Sequence, residues 1–293
     1  MPGNIVPTTL QQMLGNVQKE EFVRDFLHKQ AFSRPGVPKD LMSLGTWESF
    51  SQIATASEAD LMVVRQGERY SGQPPSSREQ LQALCAEGYT VLVRHAERHR
   101  DELQAVANDF ARDFNAPVNI HMYATPGGEW GFPWHYDAEE VFIVQTAGQK
   151  EYSLRKNTVN PWPLEETLPA DMQYEREIMP LMRVDLAAGD WLYIPGGWWH
   201  KAATKSDDIA LSLAIGVMPR TALDVLDFLR EKLRDSMLWR QRLPLVNGND
   251  DAADADMPGF PEIFAMLSGD LQRELNRHAT VEELKAYLRP DDK

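Results

Sequence analysis

The sequence predicts a mainly β protein, a barrel or a sandwich, with helical regions before and after it. The main observation is a change in sequence pattern between Val118 and Val217, where short apolar runs are separated by glycine and proline. Many short strands with turn residues between them are typical of barrels and sandwiches. The runs in this stretch are VNIHMYATP, EVFIVQTAG, KEYSL, RVDLAAGD, WLYIPGG, HKAAT and IALSLAIGV. The flanking regions instead carry apolar residues at helical spacing.

Residues 1–116 mix predicted helices with short predicted strands. Apolar residues at helical spacing, serine caps and a terminal glycine indicate the helices, and runs of β-branched residues indicate the strands. The predicted helices are EEFVRDFLHKQAF, SSREQLQALCAEG and the stretch from His99 to Phe114, and the predicted strands are LMVVRQGERY and YTVLVRHA. We expect this segment to pack on a barrel core formed by residues 117–219.

The chain also carries an insertion and a helical C-terminal region. The polar, acidic stretch from Arg155 to Pro180 contains prolines and predicts a long loop between strands, and such loops are often functional. Residues 220–293 predict a helical region that begins with TALDVLDFLREKLRDSMLWRQRL and ends with two short helices, PEIFAML and VEELKAYL. Between them, residues 247–259 predict a solvated acidic linker, because they lack the spacing of a calcium-binding loop.

The composition excludes several functional classes. The 293 residues carry a formal net charge of -14, which argues against direct binding to nucleic acid because such binding relies on lysine and arginine. No apolar run approaches the roughly 20 residues that a membrane-spanning helix needs, and the first residues lack the pattern of a secretory signal. Cys85 is the one cysteine, so an intrachain disulfide is impossible and a cytoplasmic location is expected.

A histidine and an aspartate two residues apart are the first candidates for metal binding. His135 and Asp137 lie in PWHYDAEEVF, and on a strand they would point the same way. Alone they could equally be a charged pair at the surface. A third donor, His200, follows a turn, a strand and a second turn in AAGDWLYIPGGWWHKAA. Two imidazoles and one carboxylate make the facial triad of non-haem Fe(II) oxygenases, which leaves coordination positions open. We expect the tandem Glu139 and Glu140 to be charges at the rim, where they could guide a basic substrate.

Two segments resemble a known family more closely than the bare triad does. GFPWHYDAEEVFIVQTAGQKEYSL is similar to the first metal-binding segment of the bacterial JmjC, or cupin-like, oxygenases of the ribosomal-oxygenase type, and LAAGDWLYIPGGWWHKA is similar to the second. The resemblance implies a double-stranded β-helix, that is, a cupin or jelly-roll barrel, with a helical region after it. It also implies that His135, Asp137 and His200 hold Fe(II) as the metal ligands and catalytic centre.

The resemblance further implies a site for the co-substrate 2-oxoglutarate. In that family a basic residue fifteen positions after the first histidine binds the distal carboxylate, and here this residue is Lys150. Three further residues are weighed for contact with 2-oxoglutarate, namely His121, Tyr123 and Ser212. His121 stands where related sequences often have asparagine, and it could instead be a core histidine. Ser212 and Tyr123 could instead serve only the barrel wall.

The expected function is therefore that of an Fe(II)- and 2-oxoglutarate-dependent dioxygenase. With O2 as second co-substrate, it would hydroxylate a C–H bond of a protein or peptide side chain, such as one of a basic or ribosomal protein, and release succinate and CO2. The helices after Pro219 resemble dimerising helices, so a homodimer is expected. The alternatives are a metal-dependent cupin enzyme that does not use 2-oxoglutarate, a hydroxylase of a small molecule or natural product, and a non-catalytic binding barrel.

Overall fold

A computed structural model describes residues 7–169, 180–243 and 259–289 of the chain. The chain divides between Pro219 and Arg220 into two compact units. The first unit contains the β-rich region and the residues before it, and the second contains the C-terminal helices. Among the described residues, no helix is both long enough and apolar enough to cross a membrane.

Short helices with local caps precede the β-rich region. The side-chain oxygens of Thr8, Thr46 and Ser77 each accept a hydrogen bond from a backbone N–H of the helix that comes next, which satisfies a donor that the helix itself leaves free. The helices are α1 (Thr9–Leu14), α2 (Lys19–Asp25), α3 (Lys39–Leu44), α4 (Trp47–Ala54), α5 (Arg78–Ala86) and α6 (Asp101–Phe114). The predicted helix over 20–32 is therefore shorter than expected, since α2 ends at Asp25 and a strand begins at Phe32.

The strands of the first unit form two antiparallel sheets. They are β1 (Phe32–Pro35), β2 (Asp60–Arg65), β3 (Glu68–Arg69), β4 (Thr90–Arg94), β5 (Val118–Thr125), β6 (Glu140–Ala147), β7 (Gln149–Arg155), β8 (Met182–Ala187), β9 (Asp190–Ile194), β10 (Trp199–Thr204) and β11 (Ala210–Val217). The larger sheet has the order β1-β9-β6-β11-β5-β4-β2-β3, and the smaller one has the order β10-β7-β8. Strands from the N-terminal segment thus extend the larger sheet at both of its ends.

Central strands of the larger sheet contribute to two different cores, because successive side chains of a strand point to opposite faces. On β6, Phe142 and Val144 pack towards the N-terminal helices, whereas Val141 and Ile143 pack towards the smaller sheet. β9 divides in the same way, with Trp191 and Tyr193 in the first core and Leu192 and Ile194 in the second. The second core includes residues of β7, β8 and β10, so it lies between the two sheets. This is the interior of a mainly β, double-stranded β-helix.

The second unit is helical. It contains α7 (Ala222–Leu233), α8 (Phe260–Leu275) and α9 (His278–Tyr287). A capping box begins α7, in which Thr221 and Asp224 satisfy each other's backbone N–H groups. The predicted acidic linker over 247–259 lies outside the described residues except at its last position, and residues 170–179 of the predicted insertion also lie outside them.

Candidate metal centre and active site

Three side chains converge between the two sheets with ligand atoms directed at one point. His135, Asp137 and His200 can each offer one donor atom, and these atoms all lie within 4.8 Å of one another. The carboxylate oxygen Oδ2 of Asp137 is 3.4 Å from Nε2 of His200 and 4.0 Å from Nε2 of His135. Donor atoms about 2 Å from a common ion are spaced in this way, so one metal ion could bind all three.

Backbone hydrogen bonds bring together residues that lie far apart in the sequence. His135 and His200 form an isolated antiparallel bridge, with N–H···O distances of 3.1 Å and 2.7 Å. The backbone N–H of Gly197 donates to the carbonyl oxygen of Asp137 at 2.7 Å, which ties the turn before His200 to the third ligand. His135 and Asp137 do not lie on a regular strand, because β6 begins only at Glu140. The backbone bridge to His200, rather than a strand ladder, therefore fixes the position of His135.

Each histidine is held in the orientation that metal binding needs. Nδ1 of His135 lies 2.8 Å from the carbonyl oxygen of Pro133, and Nδ1 of His200 lies 3.0 Å from that of Trp198. A carbonyl can only accept, so Nδ1 carries the proton and Nε2 presents its lone pair. Burial, together with the neighbouring His135, lowers the pKa of His200 to about 4, which keeps this imidazole neutral and able to bind a metal.

Beside the triad, Lys150 places an ammonium group in the barrel interior. Lys150 is only 3% exposed, and its Nζ donates a hydrogen bond to the hydroxyl of Ser212 at 3.0 Å. The ammonium lies 5.6 Å from the centre of the Tyr123 ring. Burial lowers the pKa of Lys150 to about 7, because removal from water disfavours the charged form. An anionic ligand in the same cavity would supply a counter-charge.

Strand alternation explains why these residues face inward. On β7 the buried positions are Lys150, Tyr152 and Leu154, and on β11 Ser212 shares its face with Ala214 of the inter-sheet core. Lys150 shares one cavity with His135 and His200 of the triad. Its walls are Thr90, Tyr123, Thr125, Gly131, Phe132, His135, Ile143, Lys150, Tyr152, His200 and Ala202.

Sequence reasoning did not single out Tyr152, Thr90 or Thr125, all of which line this cavity. A signal for Tyr152 is present in the sequence, because it lies two positions after Lys150 on the same strand and therefore on the same face. Burial raises the pKa of the Tyr152 hydroxyl, and a hydrogen bond between this hydroxyl and Ser212 offsets part of that rise. The sequence carries no such signal for Thr90. This residue begins β4, which lies beside the cavity because β4 pairs with β5.

His121 lies in a second cavity rather than in the cavity of Lys150. Its Nδ1 accepts a hydrogen bond from the backbone N–H of His95 at 3.2 Å, and burial lowers its pKa. The second cavity has a volume of about 160 Å³. Its walls are Met62, Leu92, Arg94, His121, Tyr123, Phe132, His135, Asp137, Glu139, Val141, Ala214 and Gly216. Contact between His121 and 2-oxoglutarate stays a prediction, whereas Tyr123 borders both cavities.

The expectation of a rim charge is wrong for Glu140, which is buried, whereas it stays a prediction for the half-buried Glu139. Glu140 is 4% exposed, lies 2.7 Å from Nδ1 of His28, and accepts a hydrogen bond from the hydroxyl of Tyr193. Glu139 accepts from the side-chain amide of Asn119 and faces the second cavity. Burial, and next the nearby Asp137, raise the pKa of Glu139 to about 7. Glu139 directly precedes β6 and Glu140 is its first residue, and of the two only Glu140 is buried.

Comparison with protein families identifies one domain. The family model of the JmjC domain, JmjC_2, matches residues 93–225, which include the triad and Lys150. Bifunctional lysine-specific demethylase and histidyl-hydroxylase NO66 of Drosophila erecta is 24% identical over 251 residues, covering 80% of this chain and 38% of that protein. Ribosomal oxygenase 2 of Bos taurus is 36% identical over 115 residues, covering 39% of this chain and 24% of that protein. The chain spans less than two fifths of the length of these curated relatives.

Solved structures share the fold. YcfD, a ribosomal oxygenase from Escherichia coli, in complex with cobalt and 2-oxoglutarate, superposes with a TM-score of 0.66 at 15% identity, covering 93% of this chain and 71% of that chain. The same protein in complex with cobalt and succinic acid gives a TM-score of 0.63 at 17% identity, covering 92% and 69%. At this identity the likeness concerns the fold. Together with the family match, it shows that residues 93–225 of this chain are similar to the JmjC domain and that the chain shares the fold of these ribosomal oxygenase structures.

Proposed function

We propose that this protein is an Fe(II)- and 2-oxoglutarate-dependent dioxygenase that hydroxylates a C–H bond of a protein or peptide side chain. The observation that carries the proposal is the shared cavity, in which histidines of a His-Asp-His cluster and a buried lysine lie together. Bound Fe(II) and 2-oxoglutarate together supply the activation of O2 that this chemistry needs, with succinate and CO2 as the other products. The protein supplies orientation, charge and exclusion of water.

The donor set fits Fe(II). His135, Asp137 and His200 would hold the metal, and this two-histidine, one-carboxylate combination is the one that non-haem Fe(II) oxygenases use. Both histidines already have Nδ1 occupied by a carbonyl oxygen, so little reorganisation would accompany metal binding. Asp137, with a side chain 36% exposed, lies on the side of the second cavity.

The cavity of Lys150 fits a dicarboxylate. The buried ammonium has a hydroxyl partner in Ser212 but no acidic partner among the described residues, so a carboxylate would complete its environment. Tyr123 and Tyr152 add aromatic walls with polar ends. Lys150 would bind the distal carboxylate of 2-oxoglutarate, with Ser212 and Tyr123 as supporting contacts. These roles are part of the proposal.

The names of relatives and the charge of the chain support a choice of substrate. Relatives carry the names histidyl-hydroxylase and ribosomal oxygenase, which favours a ribosomal or other polypeptide substrate. The net charge of -14 favours a basic one and disfavours direct binding to nucleic acid. We also propose a cytoplasmic homodimer whose subunits associate through residues 220–293, while residues 1–116 support the barrel core at 117–219. Exposed apolar residues on α7, such as Leu223 and Leu226, support the dimer.

Two other enzymes would suit the same barrel. A cupin enzyme that does not use 2-oxoglutarate would need the triad but not a buried lysine, so the Lys150–Ser212 pair disfavours it. A hydroxylase of a small molecule or natural product would need both the triad and the buried lysine. Only the identity of the hydroxylated product separates it from the proposed activity.

Metal and 2-oxoglutarate turnover test the proposal. Purified protein is loaded with Fe(II) and 2-oxoglutarate without O2 and examined for a visible charge-transfer band, after which O2 is admitted and succinate is measured. We expect His135→Ala to abolish both signals, because it removes a ligand. The matched control is His278→Ala, which removes an exposed histidine of α9. Succinate formation by His135→Ala at the rate of the unaltered protein would refute the assignment.

A further inference from the structure

The triad is bordered by two cavities of different chemistry. One contains the ammonium of Lys150, and the other contains the carboxylate of Glu139. His135, Tyr123 and Phe132 line both, so the two cavities adjoin at the candidate metal centre. If the cationic cavity takes the anionic co-substrate, as the proposed function requires, the side chain to be oxidised reaches the centre through the other cavity. The role of Glu139 inferred below therefore rests on the proposed function.

Glu139 holds a particular position in the second cavity. It comes two residues after the ligand Asp137 and one before β6, so its backbone is held by both. The amide of Asn119 donates to one carboxylate oxygen, Oε1. The other oxygen, Oε2, lies over Gly216 of β11, where a β-carbon would be only 2.2 Å away. Glycine at 216 therefore leaves the space that this carboxylate occupies.

The other charged and titratable side chains that line the cavity each have a partner or a proposed role. Nη2 of Arg94 lies 2.6 Å from Asp60, so an acid balances the charge of the guanidinium, although its buried Nε has no hydrogen-bond partner among the described residues. Nδ1 of His121 is used by the backbone N–H of His95. Asp137 would be a metal ligand. Glu139 has the neutral amide of Asn119 as its hydrogen-bonding partner, which leaves acceptor positions of the carboxylate available to a ligand in the cavity.

We propose that Glu139 is a specificity-determining residue, whose carboxylate accepts a hydrogen bond from an N–H-bearing substrate side chain beside the metal centre. A guanidinium, ammonium, imidazole or amide would satisfy it, and a positively charged group would also neutralise it. Carboxylates and purely aliphatic side chains would offer it no hydrogen-bond donor. Sites built to hydrogen-bond a substrate reject analogues that lack the group, because the buried polar atom stays unpaired.

A purely structural role for Glu139 makes a different prediction. If the pair with Asn119 only braced the loop that carries Asp137, Glu139→Gln would change stability or metal affinity and leave substrate choice as it was. If Glu139 reads the substrate, the change in substrate choice exceeds any change in metal affinity. Glutamine keeps the size of the side chain and can still pair with Asn119, but it removes the charge and half of the acceptors.

The test uses the 293-residue chain loaded with Fe(II) and 2-oxoglutarate, together with a pool of peptides from a digested bacterial proteome. Products that gain one oxygen are located by mass spectrometry, and succinate, Mn(II) affinity and 2-oxoglutarate affinity are measured in parallel. A second, direct measurement titrates Mn(II)- and 2-oxoglutarate-loaded protein with short peptides that carry arginine, lysine, histidine, glutamine, aspartate or leucine at the centre. The relaxation rate of water protons near Mn(II) reports whether a peptide binds close to the metal. Glu151→Gln, on β7 and paired with Lys205, is the control.

We expect the added oxygen atom to be found on residues whose side chains carry an N–H donor. We also expect the arginine, lysine, histidine or glutamine peptides to bind near the metal more tightly than the aspartate and leucine peptides. Glu139→Gln should weaken the favoured peptide about tenfold or more, as loss of a charge-assisted hydrogen bond does, and Glu151→Gln should not. Oxidation of aliphatic or acidic residues, equal approach of all six peptides, or an unaltered preference in Glu139→Gln would overturn the inference. Absence of succinate and of 2-oxoglutarate binding in the unaltered protein would instead refute the proposed function.

Discussion

The ammonium of Lys150 and the hydroxyl of Ser212 are 3.0 Å apart in the interior of the barrel, although 62 residues separate them in the chain. They lie on strands of different sheets, β7 and β11, so the contact spans the space between the sheets. Because burial governs the pKa of this lysine, the pair is both an energetic cost to the free protein and a ready site for an anion. Stability and 2-oxoglutarate binding should therefore respond in opposite directions when the charge is removed.

Lys150→Met should separate stability from co-substrate binding. The folded-state pKa of about 7 lies below the usual value of 10.5, so the unfolded state binds more protons between these pH values. Stability of the free protein should therefore rise with pH across this window. Methionine removes the buried charge, so the variant should melt at a higher temperature than the unaltered protein at pH 6 and should lose this pH dependence. Its affinity for 2-oxoglutarate should fall about tenfold or more.

The affinity of the unaltered protein for 2-oxoglutarate should itself fall as pH rises above about 7, since the neutral amine no longer attracts a carboxylate. Titrations by calorimetry from mildly acidic to mildly alkaline pH, with Mn(II) in place of Fe(II), measure this. Lys201→Met is the control, because Lys201 lies against the ring of Trp130 and does not line the cavity of Lys150. Equal 2-oxoglutarate affinity in Lys150→Met and the unaltered protein would contradict the proposed role.

Ser212→Ala should weaken 2-oxoglutarate binding without affecting the metal. The hydroxyl accepts from Lys150 and also bonds to Tyr152, so it positions both groups. A hydrogen bond to a charged group contributes roughly 1.5–3 kcal/mol, and we expect the dissociation constant to rise about tenfold. Calorimetry with Mn(II) and then with 2-oxoglutarate separates the two affinities. A variant that lost both equally would point to a general defect of the barrel instead.

Gly197→Ala should destabilise the metal site. Gly197 has a φ of +79° and donates its N–H to Asp137, and a β-carbon there would meet the carbonyl oxygen of Pro161 at 2.5 Å. We expect a lower melting temperature and weaker Mn(II) binding, since the left-handed conformation costs a non-glycine residue about 1–2 kcal/mol before the collision is added. Gly189→Ala is the control, because its φ is +96° but its β-carbon would meet no atom within 4 Å. Metal affinity should be unchanged in the control, and equal losses in the two variants would show that the collision with Pro161 is unimportant.

Tyr193→Phe should lower stability by removing two hydrogen bonds, one to the buried Glu140 and one from the backbone of the exposed His28. The hydroxyl donates to Glu140 and accepts from the backbone N–H of His28 at 2.9 Å. A hydrogen bond contributes roughly 0.5–1.5 kcal/mol, and one to a charged group roughly 1.5–3 kcal/mol. Each kcal/mol lost lowers the melting temperature of a domain of this size by about 2–4 °C. Thermal unfolding followed by circular dichroism measures it, with Tyr70→Phe as a half-buried control. A fall no larger than that of the control would show that the network contributes little.

Local pattern is sufficient for much of the architecture. The seven apolar runs between Val118 and Val217 all correspond to strands of the two sheets, since alternation and turn residues are local properties. The helix predicted over 20–32 is too long, because the burial of Phe32 and its pairing with β9 outweigh its helical spacing. The prediction for Glu140 fails for a related reason. Its neighbours in sequence do not show that His28 and Tyr193 cover it.

The sequence by itself determined the types of ligand, the strand alternation that turns Lys150 and Ser212 to one interior, and the glycines and caps at the turns. Only the tertiary structure decided that His135 and His200 form a bridge outside a regular strand, that His121 lines a different cavity from Lys150, and that Glu139 faces that second cavity. The physical reason is range. Propensity and periodicity act over a few residues, whereas a metal site and its two cavities depend on hydrogen bonds and burial between segments many residues apart.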